Sequence, residues 1–192
     1  EKYRSGKISG MENNQFEWFF LSYLLKVAQK APDQASAYLK SIAAIDDERL
    51  HERMIEIMLQ LPCSDAAELA QNEVAWCRSK ADLHGLYPKY AGKLILHIQE
   101  CDEEVAFDFI KELCEVNSEL RYIDEAGIDS YRKSIDVKAK FSDWEYQDLL
   151  GKYISKYVLR CNDYKPVLIY ICQLMSKAMD EEGRDAANDY SW

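Results

Sequence analysis

An all-α fold, with about eight helices in four antiparallel hairpins stacked as an α-α superhelix, is predicted by three observations on this 192-residue sequence. First, a phrase recurs: Val27 to Leu39 returns as Ile57 to Leu69 and, more loosely, as Ile95 to Phe107. Each copy reads as the end of one helix, a tight turn and the start of the next. A unit of that kind, returning at roughly 30- to 40-residue intervals, is the mark of stacked helical repeats. Second, apolar residues recur at helical spacing through most of the chain. Third, no stretch alternates convincingly at period two, so no sheet is expected.

The first helix carries Phe16, Phe19, Phe20, Tyr23, Leu24, Val27 and Ala28 on one stripe, and Trp18, Leu21 and Leu25 on a second. A helix apolar on two sides needs cover on two sides. Pro32 opens the second helix, where its missing N–H is no loss. Asp46 or Asp47 caps the third, whose apolar face is Leu50, Met54, Ile57, Met58 and Leu61. Pro62 starts the fourth. After His84-Gly85 the fifth presents Tyr87, Tyr90, Ala91, Leu94, Ile95 and Ile98, and the sixth Val105, Ala106, Phe109, Ile110 and Leu113.

Residues 117–141 break the rhythm with Gly127 and mixed charges, and read as an irregular insertion in which Ile123 and Ile128 occupy at most short extended pieces. Order resumes at Ser142, which forms a capping box with Glu145, while Phe141 and Tyr146 have the spacing of a hydrophobic staple. The seventh helix holds Tyr146, Leu149, Leu150, Tyr153, Ile154, Tyr157 and Val158 in register. The eighth has Pro166 in its first turn and buries Val167, Tyr170, Ile171, Leu174, Met175 and Ala178. The resulting single helical-repeat domain, 1–192, divides into a flexible tail (1–13), three hairpins (14–116), the insertion (117–141), a fourth hairpin (142–182) and an acidic tail (183–192). The doubly apolar first helix and the end at Trp192 read as a segment of a longer chain.

The hairpins, with Pro or Asp opening each second helix, resemble HEAT and armadillo-type repeats, best over 15–115 and as a divergent fourth pair over 142–182. The Trp-x-x-Leu-Gly-x-x-Tyr pattern of tetratricopeptide repeats is absent. The run Val27 to Leu39 is similar to helical-repeat regions of large bacterial multidomain proteins. The resemblance implies a scaffold, an autoinhibitory arm or a recognition arm, and because the motif is structural it assigns no site residue.

Composition narrows the function classes. Hydrophobic residues at 48% and aromatics at 12% argue for a packed core. The net charge of −10, with acidic stretches at Cys101–Glu125 and Asp180–Asp189, repels phosphate and argues against nucleic acid or an anionic membrane as partner. The six cysteines, at 63, 77, 101, 114, 161 and 172, include no Cys-x-x-Cys pair and read as buried, reduced thiols of a cytoplasmic protein. No signal peptide is visible, and the apolar run Trp18–Leu25 is too short to span a bilayer.

Each chemical temptation has a structural reading beside it. Tyr146, Tyr153 and Tyr157 share a helical face with Leu149, Leu150 and Ile154, which favours core. Trp144 and Trp76, at the edges of their stripes, are candidate partner anchors, though burial between hairpins is the stronger expectation. His97 and Cys101, with Cys114 and His84, could be imagined around zinc, but the turn at Glu100-Cys101 interrupts their helix. His51, among Glu48, Glu52 and Arg53, reads as solvated. Asp102-Glu103-Glu104 suits a helix start and Asp180-Glu181-Glu182 a fraying tail, and neither singles out an acid–base pair. The one basic cluster, Arg132, Lys133, Lys138 and Lys140, lies in the insertion and is weak as a phosphate site. The reading is therefore a non-enzymatic protein–protein interaction or scaffold module whose partner is another protein or a neighbouring domain. No catalytic, metal or cofactor residue is expected, no cofactor is expected, and no binding residue is assigned. The alternatives are an enzyme on a HEAT-like scaffold of the DNA-repair glycosylase type, or a structural spacer in a larger protein.

Overall fold

The computed structural model describes residues 13–42, 46–80, 83, 86–123, 132–141 and 143–178. Helices dominate: α1 (Asn13–Ala28), α2 (Pro32–Ser41), α3 (Glu48–Met58), α4 (Cys63–Arg78), α5 (Tyr87–Ile98) and α6 (Glu103–Leu113) come first. After them come β1 (Val116–Ile123) and β2 (Arg132–Ala139), then α7 (Asp143–Leu149), a π-helical turn (Leu150–Ile154), α8 (Ser155–Arg160) and α9 (Lys165–Ala178). None of the described helices is long and apolar enough to cross a membrane.

The helix starts follow local chemistry. Pro32 lies in the first turn of α2 and Pro88 in that of α5. Of the two aspartates considered for α3, Asp47 is the cap: its Oδ1 accepts the N–H groups of Arg49 (3.0 Å) and Leu50 (3.2 Å). Asp102 does the same for α6 by accepting the Val105 N–H at 3.0 Å. Each bond satisfies a donor that the helix itself cannot pair, and a cap of this kind contributes on the order of 1 kcal/mol. The Phe141 and Tyr146 rings meet as a staple, 6.0 Å apart between centroids. Ser142, expected to cap α7, lies outside the described residues, as do His84, Gly127, Ile128, Asp180-Glu181-Glu182 and the tails at 1–12 and 179–192.

Helices neighbour one another in two series. α1 packs on α3 and α3 on α5, α2 packs on α4 and α4 on α6, and α1·α2, α3·α4 and α5·α6 are adjacent pairs. One core runs through both series, from Leu21 and Leu24 through Leu50, Ile55, Met58, Ala70, Leu94, Ile95, Phe109 and Ile110 to Leu149, Ile154 and Val167. The later helices are tied to α6 by tyrosine hydroxyls. Tyr157 donates to the Glu103 carbonyl (3.0 Å), Tyr170 to that of Lys111 (2.9 Å) and Tyr146 to that of Leu113 (3.4 Å). Tyr146 and Tyr157 are core residues, as their spacing predicts, and Tyr153 is half-buried.

Four expectations are corrected. The segment read as an irregular insertion without a sheet contains an antiparallel hairpin, with Val116 opposite Ala139, Leu120 opposite Ile135 and Ile123 opposite Arg132. Its apolar positions do follow period two (Val116, Leu120 and Tyr122 against Ile135, Val137 and Ala139), but Ser118 and Lys133 dilute the alternation. The seventh helix is not a regular α-helix, because α7 and α8 are joined through the π turn. Trp144, expected to be buried, is 74% exposed. The cysteines are not all reduced: Cys63 and Cys101 form a disulfide, leaving Cys77 and Cys114 as buried thiols, Cys161 half-buried and Cys172 exposed. Burial pushes the Cys77 and Cys114 thiols up to about 12. The cysteine argument for a cytoplasmic protein loses its footing with that bond.

The π turn meets α5 at Gly92, where an added Cβ would collide with Tyr153 at Cγ and lie 3.0 Å from its Cβ. These atoms are the base of the ring and cannot swing away. Gly92→Ala gains about 1 kcal/mol of helix propensity but overpacks a site where such insertions cost about 1–3 kcal/mol. A net loss of stability, seen as a lower urea midpoint, is expected, and Tyr153→Ala in the same chain should relieve the collision.

Candidate functional site

The exposed face of α3 is laid down by its charge pattern. Glu48, Arg49, Glu52, Arg53 and Glu56 recur at i, i+1, i+4, i+5 and i+8, one side of a helix. Trp18 of α1 rises on one flank, and Leu86 and Tyr90, at and within the start of α5, rise on the other. Together with Asp47 they enclose a groove of about 710 Å³.

Contacts across it are specific. The Arg53 guanidinium lies 5.4 Å from the Trp18 ring centroid and pairs with Glu56. Glu56 also accepts a hydrogen bond from the Tyr90 hydroxyl, and chiefly for that reason the phenol is pushed up to about 12. Glu52 Oε1 accepts the Leu86 N–H at 2.8 Å. Partial burial, reinforced by the charge of Glu48, raises the Glu52 carboxyl above its ordinary value despite that bond. Lys93 lies over the Tyr90 ring at 5.4 Å.

Beneath the groove a buried polar cluster fixes α3 to α4 and α5. His51 Nδ1 lies 2.9 Å from both carboxylate oxygens of Glu73, which is wholly buried. The Tyr87 hydroxyl donates to Glu73 Oε2 at 3.3 Å, and burial together with the Glu73 carboxylate holds that phenol well above its usual range. Trp76 stacks on the imidazole with 3.7 Å between centroids and 16° between planes. Trp76 Nε1 in turn donates to Asp46 at 3.4 Å, and Asp46 pairs with Lys80. Comparison with family models, curated proteins and solved structures brings no match.

His51 is the clearest correction: it is buried, not solvated. On a helical wheel it falls between Met58 and Ile55, on the edge of the apolar face rather than among the glutamates. Trp76, half-buried, covers it. The imagined zinc set does not assemble. Cys101 is bonded to Cys63, and His97 Nε2 donates to the Leu61 carbonyl at 3.0 Å. Among the described residues no group of three His, Cys, Asp or Glu is placed to hold a metal ion. In the basic cluster Lys140 turns inward: it is 2% exposed and its Nζ donates to the Cys77 carbonyl at 2.8 Å, in the last turn of α4. Of the acidic trio, Asp102 caps α6 and Glu103 accepts from the N–H and side chain of Asn162, each at 3.2 Å.

A second groove of about 410 Å³ between α4 and α6 is lined by Val74, Arg78, Asp102, Glu104, Val105 and Asp108, with Gln71 and Ala75. The groove over α3 presents carboxylates, guanidinium groups and aromatic surface, and the second groove carboxylates beside the Arg78 guanidinium.

Proposed function

We propose that this chain is a protein–protein interaction or scaffold module built as an α-α superhelix of stacked antiparallel hairpins, akin to HEAT and armadillo-type repeats. The observation that carries the reading is the groove over α3, where aromatic side chains and arginine meet in one open site. Trp, Tyr and Arg are the residues enriched at binding hot spots, and the groove combines Trp18, Tyr90 and Arg53. The separate α1–α3–α5 and α2–α4–α6 series support the superhelical arrangement, since such stacking repeats one surface along an axis. A duplex-binding enzyme fits poorly, because carboxylates line both grooves and repel phosphate.

A photocrosslinking residue at position 86 tests the proposal in intact cells. It is expected to trap a protein of discrete mass, whereas the same residue at exposed position 155 traps none. Absence of any such adduct, together with turnover of a small molecule by the purified chain, overturns it. A second reading, a spacer within a longer array, is favoured by the outer side of α1, where Phe19 and Tyr23 are 56% and 65% exposed.

A further inference from the structure

We propose that the groove over α3 receives a basic segment of a partner protein, with an arginine or lysine side chain held between Trp18 and Tyr90 against Glu52 and Glu56, and a neighbouring apolar side chain on Leu86. This rests on the interaction reading above and names the chemistry of the partner.

Three features select that occupant. The first is charge: four carboxylates (Asp47, Glu48, Glu52 and Glu56) and two guanidinium groups (Arg49 and Arg53) line the groove, and Lys93 beside Tyr90 still leaves the carboxylates in excess. An acidic peptide or a phosphate meets net repulsion there, whereas a cation meets attraction that salt screens. The second is the wall material. Trp18 and Leu86 are 41% and 50% exposed, so a flat apolar surface stands beside the carboxylates. An arginine, with its planar head and aliphatic stem, uses both surfaces at once.

The third feature lies within the protein. Arg53 lies over the Trp18 ring and pairs with Glu56, so the groove already holds one guanidinium on an indole with a carboxylate partner. A partner's arginine repeats that arrangement on the Glu52 side. Glu52 is partly withdrawn from water and stands beside Glu48, which together hold its carboxyl above the ordinary value.

Fluorescence anisotropy with a short labelled peptide alternating arginine with leucine tests the assignment on the full chain. Peptides with glutamate or glutamine in place of arginine serve as comparators. Saturable binding of the arginine peptide is expected, weakening as salt rises. Glu52→Gln with Glu56→Gln, or Trp18→Ala alone, should weaken it about tenfold or more, the scale of a lost hot spot. Circular dichroism and urea midpoints establish that the variants remain folded. Glu104→Gln with Asp108→Asn, in the second groove, should leave binding unchanged. Equal loss in that control pair reveals attraction by overall charge and overturns the site. Equal binding of the glutamine peptide removes the basic preference while leaving the interaction reading intact. If no peptide binds, yet position 86 still crosslinks a protein, the partner assignment fails and the interaction reading stands.

Discussion

Glu73→Ala is expected to lower the stability of this protein by about 2–5 kcal/mol, since each buried donor left without its acceptor costs about 1–3 kcal/mol. The carboxylate is wholly buried, and it is the acceptor for both His51 Nδ1 and the Tyr87 hydroxyl. Its loss leaves two buried donors without their partner, beneath the stacked Trp76 ring where water cannot readily replace it. The pair is not expected to be a large net source of stability, however. Taking polar groups out of water costs free energy that the bonds between them offset only in good geometry. The double replacement Glu73→Leu with His51→Phe should therefore lose much less than the single change. Urea denaturation of the two single variants and the double variant measures this directly as a coupling energy. A Glu73→Ala cost under about 1 kcal/mol, the size of an exposed pair, would show that the cluster is solvated. The effect on the groove should follow the same order, because Glu48, Glu52 and Glu56 project from the helix that His51 anchors.

Helical periodicity carried most of the architecture into view. The stripes on α3, α5 and α6 name most of the residues buried there, with Tyr90 and Val105 only partly buried, because each helix is apolar on one side and polar on the other. The hairpin at β1 and β2 was obscured for a related reason. A two-stranded ribbon has one short apolar face, and here Ser118 and Lys133 occupy positions that a longer alternation would fill with apolar residues. The π turn was hidden too, since Tyr146, Leu149, Leu150, Tyr153, Ile154 and Tyr157 fit the ordinary helical template. What departs from it is decided by the tertiary fit of Tyr153 against Gly92.

The candidate site was less legible. The glutamates of α3 were visible as a charged stripe, but the groove also needs Trp18 from α1 and Leu86 and Tyr90 from around the start of α5. Residues that far apart in sequence meet only because α3 packs between those two helices. His51 was misplaced because its sequence neighbours are charged, whereas its spatial neighbours are Glu73 and Trp76 from the next helix. Lys140 was grouped with a basic cluster for the same reason. A buried lysine at a helix C-terminus is recognised only when the Cys77 carbonyl is beside it.

The disulfide could have been found from the repeat. Cys63 and Cys101 occupy the same place in the second and third copies of the recurring phrase, six residues after Ile57 and Ile95 respectively. The fold brings these equivalent positions side by side, with the two Cα atoms 6.1 Å apart. The bond ties the α3–α4 turn to the α5–α6 turn, alongside the His97–Leu61 hydrogen bond. With its ends 38 positions apart in the sequence, the chain-entropy model gives a stabilisation of about 4 kcal/mol, exerted mainly by restricting the unfolded chain. Cys63→Ser with Cys101→Ser, or a thiol reductant on the wild type, should lower stability by about 2–4 kcal/mol. A larger dependence on urea should accompany it, because the unlinked chain exposes more surface on unfolding. Since the bond acts on the unfolded state, the groove over α3 should keep its geometry in the reduced protein, so peptide binding there is expected to persist while the midpoint falls. Identical urea midpoints with and without reductant would refute the crosslink, and loss of binding at an unchanged midpoint would refute its separation from the site.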